Sequence, residues 1–543
     1  MARGKGNSVY TKRAVAVGHV KARQEGSNVS AGKVTVDFVE DDRPPGARPA
    51  SAGAADLSLA SGAGRPATIV AEGGVEITDT SDPNKPLTAT ADRMVSNLIE
   101  NDRARRTAVL TGRPDAPARI EQGSNRLIGR EIRLYQTDDS AAVDGAGTLD
   151  FVTKKGIDGK DLPEPMAVKV QWVKAMSFSG KKRTAEFAGD VALNSALDDV
   201  LCQDMQLVLT EQLSEPNAPP PVAGAPVGPS AAASAAVTPK AAVGAVGKKP
   251  AGRGAASRLG GMAVSMEQYS QRRIEMIYAD KDIVLRSRSE DEKNRLVRRM
   301  QLAGEKLIYD AEGERITMLG RGTLMAEDYD KPRPQKVANP DGTMAAVDRP
   351  SQSAFAWNKS MVFSQKDRVV TLEGGVIMDH RSCDQIIGTD KLNVPRDQWG
   401  PLPAGRRTRL ECNTMMAKFG EPVSKPSTQP STPPARRSGG NLLRKGPTMG
   451  SLDLFSATGD VSLKDVDPKN NPRHVLGQRL IYNGEKDQAV VWGFLEGKPE
   501  AKASITYEDP QTGRTQTTAS PMFLWELRTN HILANDVSAS GGR

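Results

Sequence analysis

One long motif occurs twice in this chain without a gap. Trp172, Lys174, Met176, Phe178, Arg183, Gly189 and Val191 return 185 residues later as Trp357, Lys359, Met361, Phe363, Arg368, Gly374 and Val376. One of the seven matched pairs is tryptophan, in a chain that has only 5. A second match keeps a constant offset of 175 residues. Gly129 and Ile132, followed by Gly145-Ala146-Gly147-Thr148-Leu149, pair with Gly304 and Leu307, followed by Gly320-Arg321-Gly322-Thr323-Leu324, while Leu134-Tyr135 and Ile308-Tyr309 stand one residue out of that register. An internal duplication limits the fold to units that can stack on copies of themselves.

The second half of the motif is more general. Glu72-Gly73-Gly74-Val75-Glu76-Ile77, Ala188-Gly189-Asp190-Val191-Ala192-Leu193, Glu373-Gly374-Gly375-Val376-Ile377-Met378 and Thr458-Gly459-Asp460-Val461-Ser462-Leu463 share one pattern, and Val17-Gly18-His19-Val20 is a shorter instance. Glycine tolerates backbone angles closed to other residues, so each instance reads as a tight turn or bulge. The alternation that follows is the period-2 signature of a strand with one buried face. A second strand type follows it at Leu87 to Val95, Val200 to Leu209, Ile386 to Val394 and Val475 to Tyr482. Only Met266 to Ala279 and Glu290 to Leu302 have helical spacing. The fold class expected is therefore all-β.

The repeats divide the chain. Two long similar units are expected at 67–213 and 262–419, with partial units at 1–38 and 450–543. An insertion is expected at 39–66 and a loop insertion at 331–352. Segments 214–261 and 420–449, rich in Pro, Ala, Gly and Ser, read as disordered linkers. The whole chain of 543 residues is 38% apolar and 4% aromatic, which suits a thin stacked sheet better than one thick core.

The net charge of +8 does not make this a nucleic-acid-binding surface. Each linker carries five basic residues against one acidic residue, which together account for the whole excess. Neither has aromatic residues interleaved for base stacking. The 3 cysteines, Cys202, Cys383 and Cys412, have no metal-ligand spacing. Asp379, His380, Cys383 and Asp384 form the one local group of possible ligands. Because no matching cluster stands elsewhere, no metal or other cofactor is expected. No phosphate loop or nucleophile elbow is visible, so no catalytic residue is assigned. No stretch reads as a signal peptide or a membrane-spanning helix. The chain reads as beginning within a motif, which suggests a missing upstream part or a misassigned start.

The Gly-x-Val strands and the strands after them carry a resemblance. Ala16-Val17-Gly18-His19-Val20 with Val29-Ser30-Ala31-Gly32-Lys33-Val34, and Gly73-Gly74-Val75 with Leu87-Thr88-Ala89-Thr90-Ala91-Asp92-Arg93-Met94-Val95, resemble the LptA/OstA family. The resemblance implies an antiparallel β-jellyroll or folded-over β-taco, repeated along the chain, in the periplasm or cell envelope. It implies a non-enzymatic protein that binds lipopolysaccharide or a similar amphiphile in an apolar groove and contributes to its transport toward the outer membrane. Candidate groove residues are Val75, Ile77, Met176, Phe178, Val191, Leu193, Met361, Phe363, Val376, Met378, Val461 and Leu463. Expected partners are the lipid and other envelope β-jellyroll transport proteins, joined by edge-strand pairing. Two other readings compete. The same alternation would serve a structural β-repeat, adhesin-like protein with a solid interior. A nucleic-acid binder working through the basic linkers ranks last.

Overall fold

The structure is a computed structural model. It describes residues 2–3, 9–24, 27–40, 65–80, 86–99, 106–135, 139–155, 161–195, 198–210, 274–290, 296–329, 337–338, 344–345, 351–382, 406–419, 452–466, 472–486, 488–494, 501–508, 514–526, 531–535 and 538–541. Every regular element among them is a β-strand, as the alternation implies. Where the two stretches with helical spacing are described they are also strands, Ile274–Glu290 and Leu296–Asp310. Pairing with each other and with their neighbours overrides the local spacing there.

The sheet is a ladder of twenty-one antiparallel rungs in chain order. The first six are Arg13–Gln24, Ser27–Val39, Arg65–Asp79, Leu87–Asn97, the pair Thr107–Thr111 with Ala118–Gln122, and Asn125–Tyr135. Next come Ser140–Lys155, Asp161–Trp172 with Ala175–Ser179, Thr184–Asn194, Asp198–Leu209, Ile274–Glu290, Leu296–Asp310 and Arg315–Asp328. Then follow Ser351–Trp357 with Ser360–Ser364, Val369–Ser382, Arg406–Phe419, Leu452–Val466 and Pro472–Asn483. The last three rungs are Gln488–Trp492 with Ala503–Glu508, Thr515–Ser520 with Met522–Glu526, and His531–Asn535 with Ser538–Gly541. Where two short strands share a rung, both can pair with the same long neighbours, and this closes small four-strand rings. Among the described residues Arg13–Gln24 pairs only with Ser27–Val39 and the last rung only with the one before it, so closure is confined to these small rings and the sheet as a whole is an open ladder. At the usual strand spacing it extends roughly 95 Å.

The glycine motifs fold this ladder over. Eight rungs each hold one residue more than their neighbours near mid-strand, giving a register shift. Seven of these bulges contain Gly18, Gly73, Gly145, Gly189, Gly320, Gly374 or Gly459, all at positive φ. The eighth is Lys281-Asp282, with φ of 64° and 51° and no glycine. A bulge with glycine in the left-handed region bends its strand. All eight lie on alternate rungs, so they align into one crease with a half-sheet on either side. At the crease the intervening rungs Asp161–Trp172 and Ser351–Trp357 end, each at its tryptophan. Both tryptophans stand at strand ends, each lying over the glycine of the preceding rung, Gly147 or Gly322.

The ladder crosses the inserted segments without a change of neighbour. Leu209 pairs with Ile274, and Phe419 with Leu452. Val39 pairs with Arg65, and Ser382 with Arg406. Residues 214–261 and 420–449, and most of 39–66 and 331–352, lie outside the described residues. So does Ile386 to Val394, expected as a strand; the described partner of Val369–Ser382 is Arg406–Phe419. One core cluster runs through all the repeats, from Val29 to Trp525.

Candidate functional site

Directly opposed residues on antiparallel strands share a face. The register therefore traces rows of side chains that run across the rungs. One row lies beside the crease. From Ala16 it passes through Val34, Ala71, Met94, Leu110, Ile132, Val143, Met176, Phe187 and Met205. It continues through Ala279, Leu307, Met318, Met361, Leu372, Met415, Ala457, Leu480, Val491 and Phe523 to Ala534. Each rung contributes one residue and every one is apolar. Met94, Met176, Met205, Met318, Met361 and Met415 make up a third of the 18 methionines in the chain. All six are buried.

A second row lies farther from the crease on the same wall and holds Phe178 and Phe363, directly opposite Ala185 and Val370. The facing wall carries a third row, which holds Ile77, Leu193, Met378 and Leu463. Val75, Val191, Val376 and Val461 line the crease, opposite Ala91, Cys202, Cys412 and Gly477. The structure thus gathers all twelve residues singled out from the sequence into one interior. Ten are buried, and Met378 and Leu463 are half-buried against the same cluster. Met94, Met205, Met318 and Met415 are equivalent to Met176 and Met361 but were not singled out. Their spacing along the chain follows rung length and carries no period of its own.

The interior is chemically quiet. Burial pushes the Cys202 thiol up to about 12 and the Cys412 thiol up to about 11, so neither is a nucleophile at neutral pH. Asp379 and His380 are adjacent on one strand and point to opposite faces, so they do not converge on one ion. Cys383 and Asp384 lie outside the described residues. Among the described residues no three His, Cys, Asp or Glu side chains gather as metal ligands would. Asp379 is buried on the outer face, where desolvation raises its carboxyl to about 6 against the pull of Arg409 and Arg381. No described helix is long and apolar enough to cross a membrane.

Comparison with known proteins places part of this ladder. Residues 7–140 match the family model described as LptA/(LptD N-terminal domain) LPS transport protein. No curated protein sequence matches the chain. Among solved structures, it matches LptH, the LptA homologous periplasmic component of the conserved lipopolysaccharide transport device from Pseudomonas aeruginosa. That match has 16% identity over 26% of this chain and 94% of LptH, with a TM-score of 0.17. Residues 7–140, the first rungs of this all-β ladder, are thus similar to the LptA and LptD N-terminal domain family.

Proposed function

We propose that this chain is a non-enzymatic periplasmic protein that holds lipopolysaccharide or a similar amphiphile in its folded interior and helps carry it toward the outer membrane. The observation that supports this most is the unbroken methionine-bearing row. A track for acyl chains needs an apolar surface continuous along the direction of travel, without one fixed shape. Methionine supplies such a surface, because its unbranched thioether adapts to irregular partners. On this reading 67–213 and 262–419 are successive lengths of one track, and 1–38 and 450–543 complete its ends. The rung Arg13–Gln24 has a neighbour on one side alone among the described residues. Its free edge is a docking edge for another envelope protein of the same fold.

The near-complete burial of the interior means that the two walls part to admit a lipid. It also favours a second reading, a structural β-repeat with a permanently filled interior. Photocrosslinking groups at Met176, Phe178, Met361 and Phe363, with labelled lipopolysaccharide, separate the two. Capture at these sites and no capture at outward-facing Ser177 or Val362 is expected of the carrier. Absence of capture at all four interior sites defeats it and leaves the structural reading. Peroxide oxidation of the six row methionines gives an independent readout, since bound lipid should slow it.

A further inference from the structure

The two long units differ on their outer surface. Strand alternation places Met325, Glu327, Gln352, Ala354, Asp379 and Arg381 on the outer face of the wall opposite the methionine row, across three adjacent rungs. All six are buried, Met325 and Gln352 to 1% exposure. Met325 and Ala354 do not belong to the interior cluster. In the first unit the counterparts of Gln352 and Ala354, 185 residues earlier, are Ala167 and Lys169, and both are exposed. The strands of the ladder lie within the sheet and cannot cover its outer face. The neighbours Thr323 and Ala354 are too short to enclose Met325.

The chemistry is that of a covered surface. Glu327 Oε2 accepts from Arg299 Nε at 2.6 Å and from Tyr329 Oη at 2.9 Å, and its Oε1 accepts from Gln352 Nε2 at 3.0 Å. A carboxylate withdrawn from water is strongly destabilising unless such donors surround it. On an open sheet face water would supply them. The units also differ in the chain that leaves this edge. Residues 329–350 separate Arg315–Asp328 from Ser351–Trp357, where the first unit has 156–160 between Ser140–Lys155 and Asp161–Trp172. The longer segment includes a hairpin of its own, Val337–Ala338 with Met344–Ala345. Its return arm, 346–350, can span roughly 16 Å, and Ala354 stands roughly 10 Å inside the edge.

We infer that the outer face around Met325 and Gln352 is a docking surface for residues 331–349 of the same chain. The second unit thereby withholds from partners a surface that the first leaves open. Another insertion, 383–405, leaves the same edge between Val369–Ser382 and Arg406–Phe419. The burial profile favours 331–349. Burial is deepest on the two strands that this segment joins, whereas Arg407 and Arg409, beside the end of 383–405, are half-buried.

A benzophenone amino acid in place of Ala354 in the full chain tests this, with Lys169 as the control position. Irradiation should join position 354 to residues 331–349 within one chain, read by peptide mass spectrometry on the band of monomer mass. Position 169 should give no such product. Capture of 383–405 alone, a product between two chains, or no capture at position 354 overturns the inference. Thiol labelling gives a second measurement with a smaller probe. In a Cys383→Ser background, Ala354→Cys should react at least about tenfold more slowly than Lys169→Cys, since a covered thiol reacts only when it is uncovered. Replacing 333–347 with a short Gly/Ser loop should bring the two rates within about twofold, with Cys202 and Cys412 still unlabelled as the sign of an intact fold. An Ala354→Cys rate unchanged by that replacement also overturns the inference.

Discussion

The tryptophan-on-glycine contact gives a quantitative test of how the crease is packed. A Cβ added at Gly322 would come within 2.8 Å of Trp357 Cε2 and 2.9 Å of the Ala303 carbonyl oxygen. Both are well inside van der Waals contact, and Trp357 is fully buried, so the ring has nowhere to swing. Gly322→Ala should cost about 2–3 kcal/mol, in the range for overpacking. Trp357→Phe removes the part of the ring that meets the new methyl group, and alone should cost about 1–3 kcal/mol through the space it leaves. Together the two changes should cost about 1–2 kcal/mol less than their sum, because each removes the other's cause; the carbonyl contact keeps the recovery partial. The duplicate provides an internal control. Gly147 faces Trp172 in the same way, but Trp172 Nε1 donates to the Gly145 carbonyl at 3.1 Å while Trp357 Nε1 has no such partner. Trp172→Phe should therefore cost about 1 kcal/mol more than Trp357→Phe. The four single variants and two doubles are compared by urea unfolding followed with far-UV circular dichroism. Additive costs within about 0.5 kcal/mol at both sites would refute the packing explanation, and equal costs for the two Trp→Phe changes would refute the hydrogen-bond part.

Other consequences are simpler to check. Gly145 has φ of 83° and open space where a Cβ would stand, so Gly145→Ala should cost about 1–2 kcal/mol from backbone strain alone. Lys281→Gly, at the bulge without glycine, should change stability in the opposite direction by up to about 1 kcal/mol, and thermal melts read both signs. In a Cys383→Ser background, a thiol reagent at pH 8 should label Cys202 and Cys412 only after denaturant is added; fast native labelling would mean the interior opens readily. Asp379 binds its proton more tightly folded than unfolded, so its contribution to stability falls as pH rises from about 4 to about 6. Asp379→Asn should flatten that slope, and an unchanged slope in urea titrations at several pH values would exclude Asp379 as its source.

Legibility from sequence followed the direction of the chain. The bulges were readable because glycine marks seven of the eight. Lys281-Asp282 was hidden because two ordinary residues hold the same backbone there. At Gly112 and Gly493 a break between two short strands takes the place of a bulge, and the Gly-x-Val pattern is missing. Arg406–Phe419 was passed over as the partner of Val369–Ser382 because it opens on Arg406-Arg407-Thr408-Arg409, while Ile386 to Val394 looked more apolar. The rows of the interior were not readable at all. They run at right angles to the chain, so neighbours such as Met205 and Ala279 lie far apart in sequence on either side of an insertion. Only Met176 and Met361 stood out, because the duplication marked them.

The confinement of bulges to alternate rungs also bears on how such a molecule can change length. A strand with the extra residue and a strand without it form one bent hairpin, and neither alone continues the crease. The two matched stretches are six rungs apart, an even number, so the copy falls in phase with the original. Growth by a single strand would set two like strands side by side and turn the next bend the wrong way. Reach is therefore adjustable only in hairpin steps of about 10 Å. A protein built this way is a ruler with fixed graduations, able to match a wider or narrower gap by gaining or losing hairpins while its cross-section stays the same.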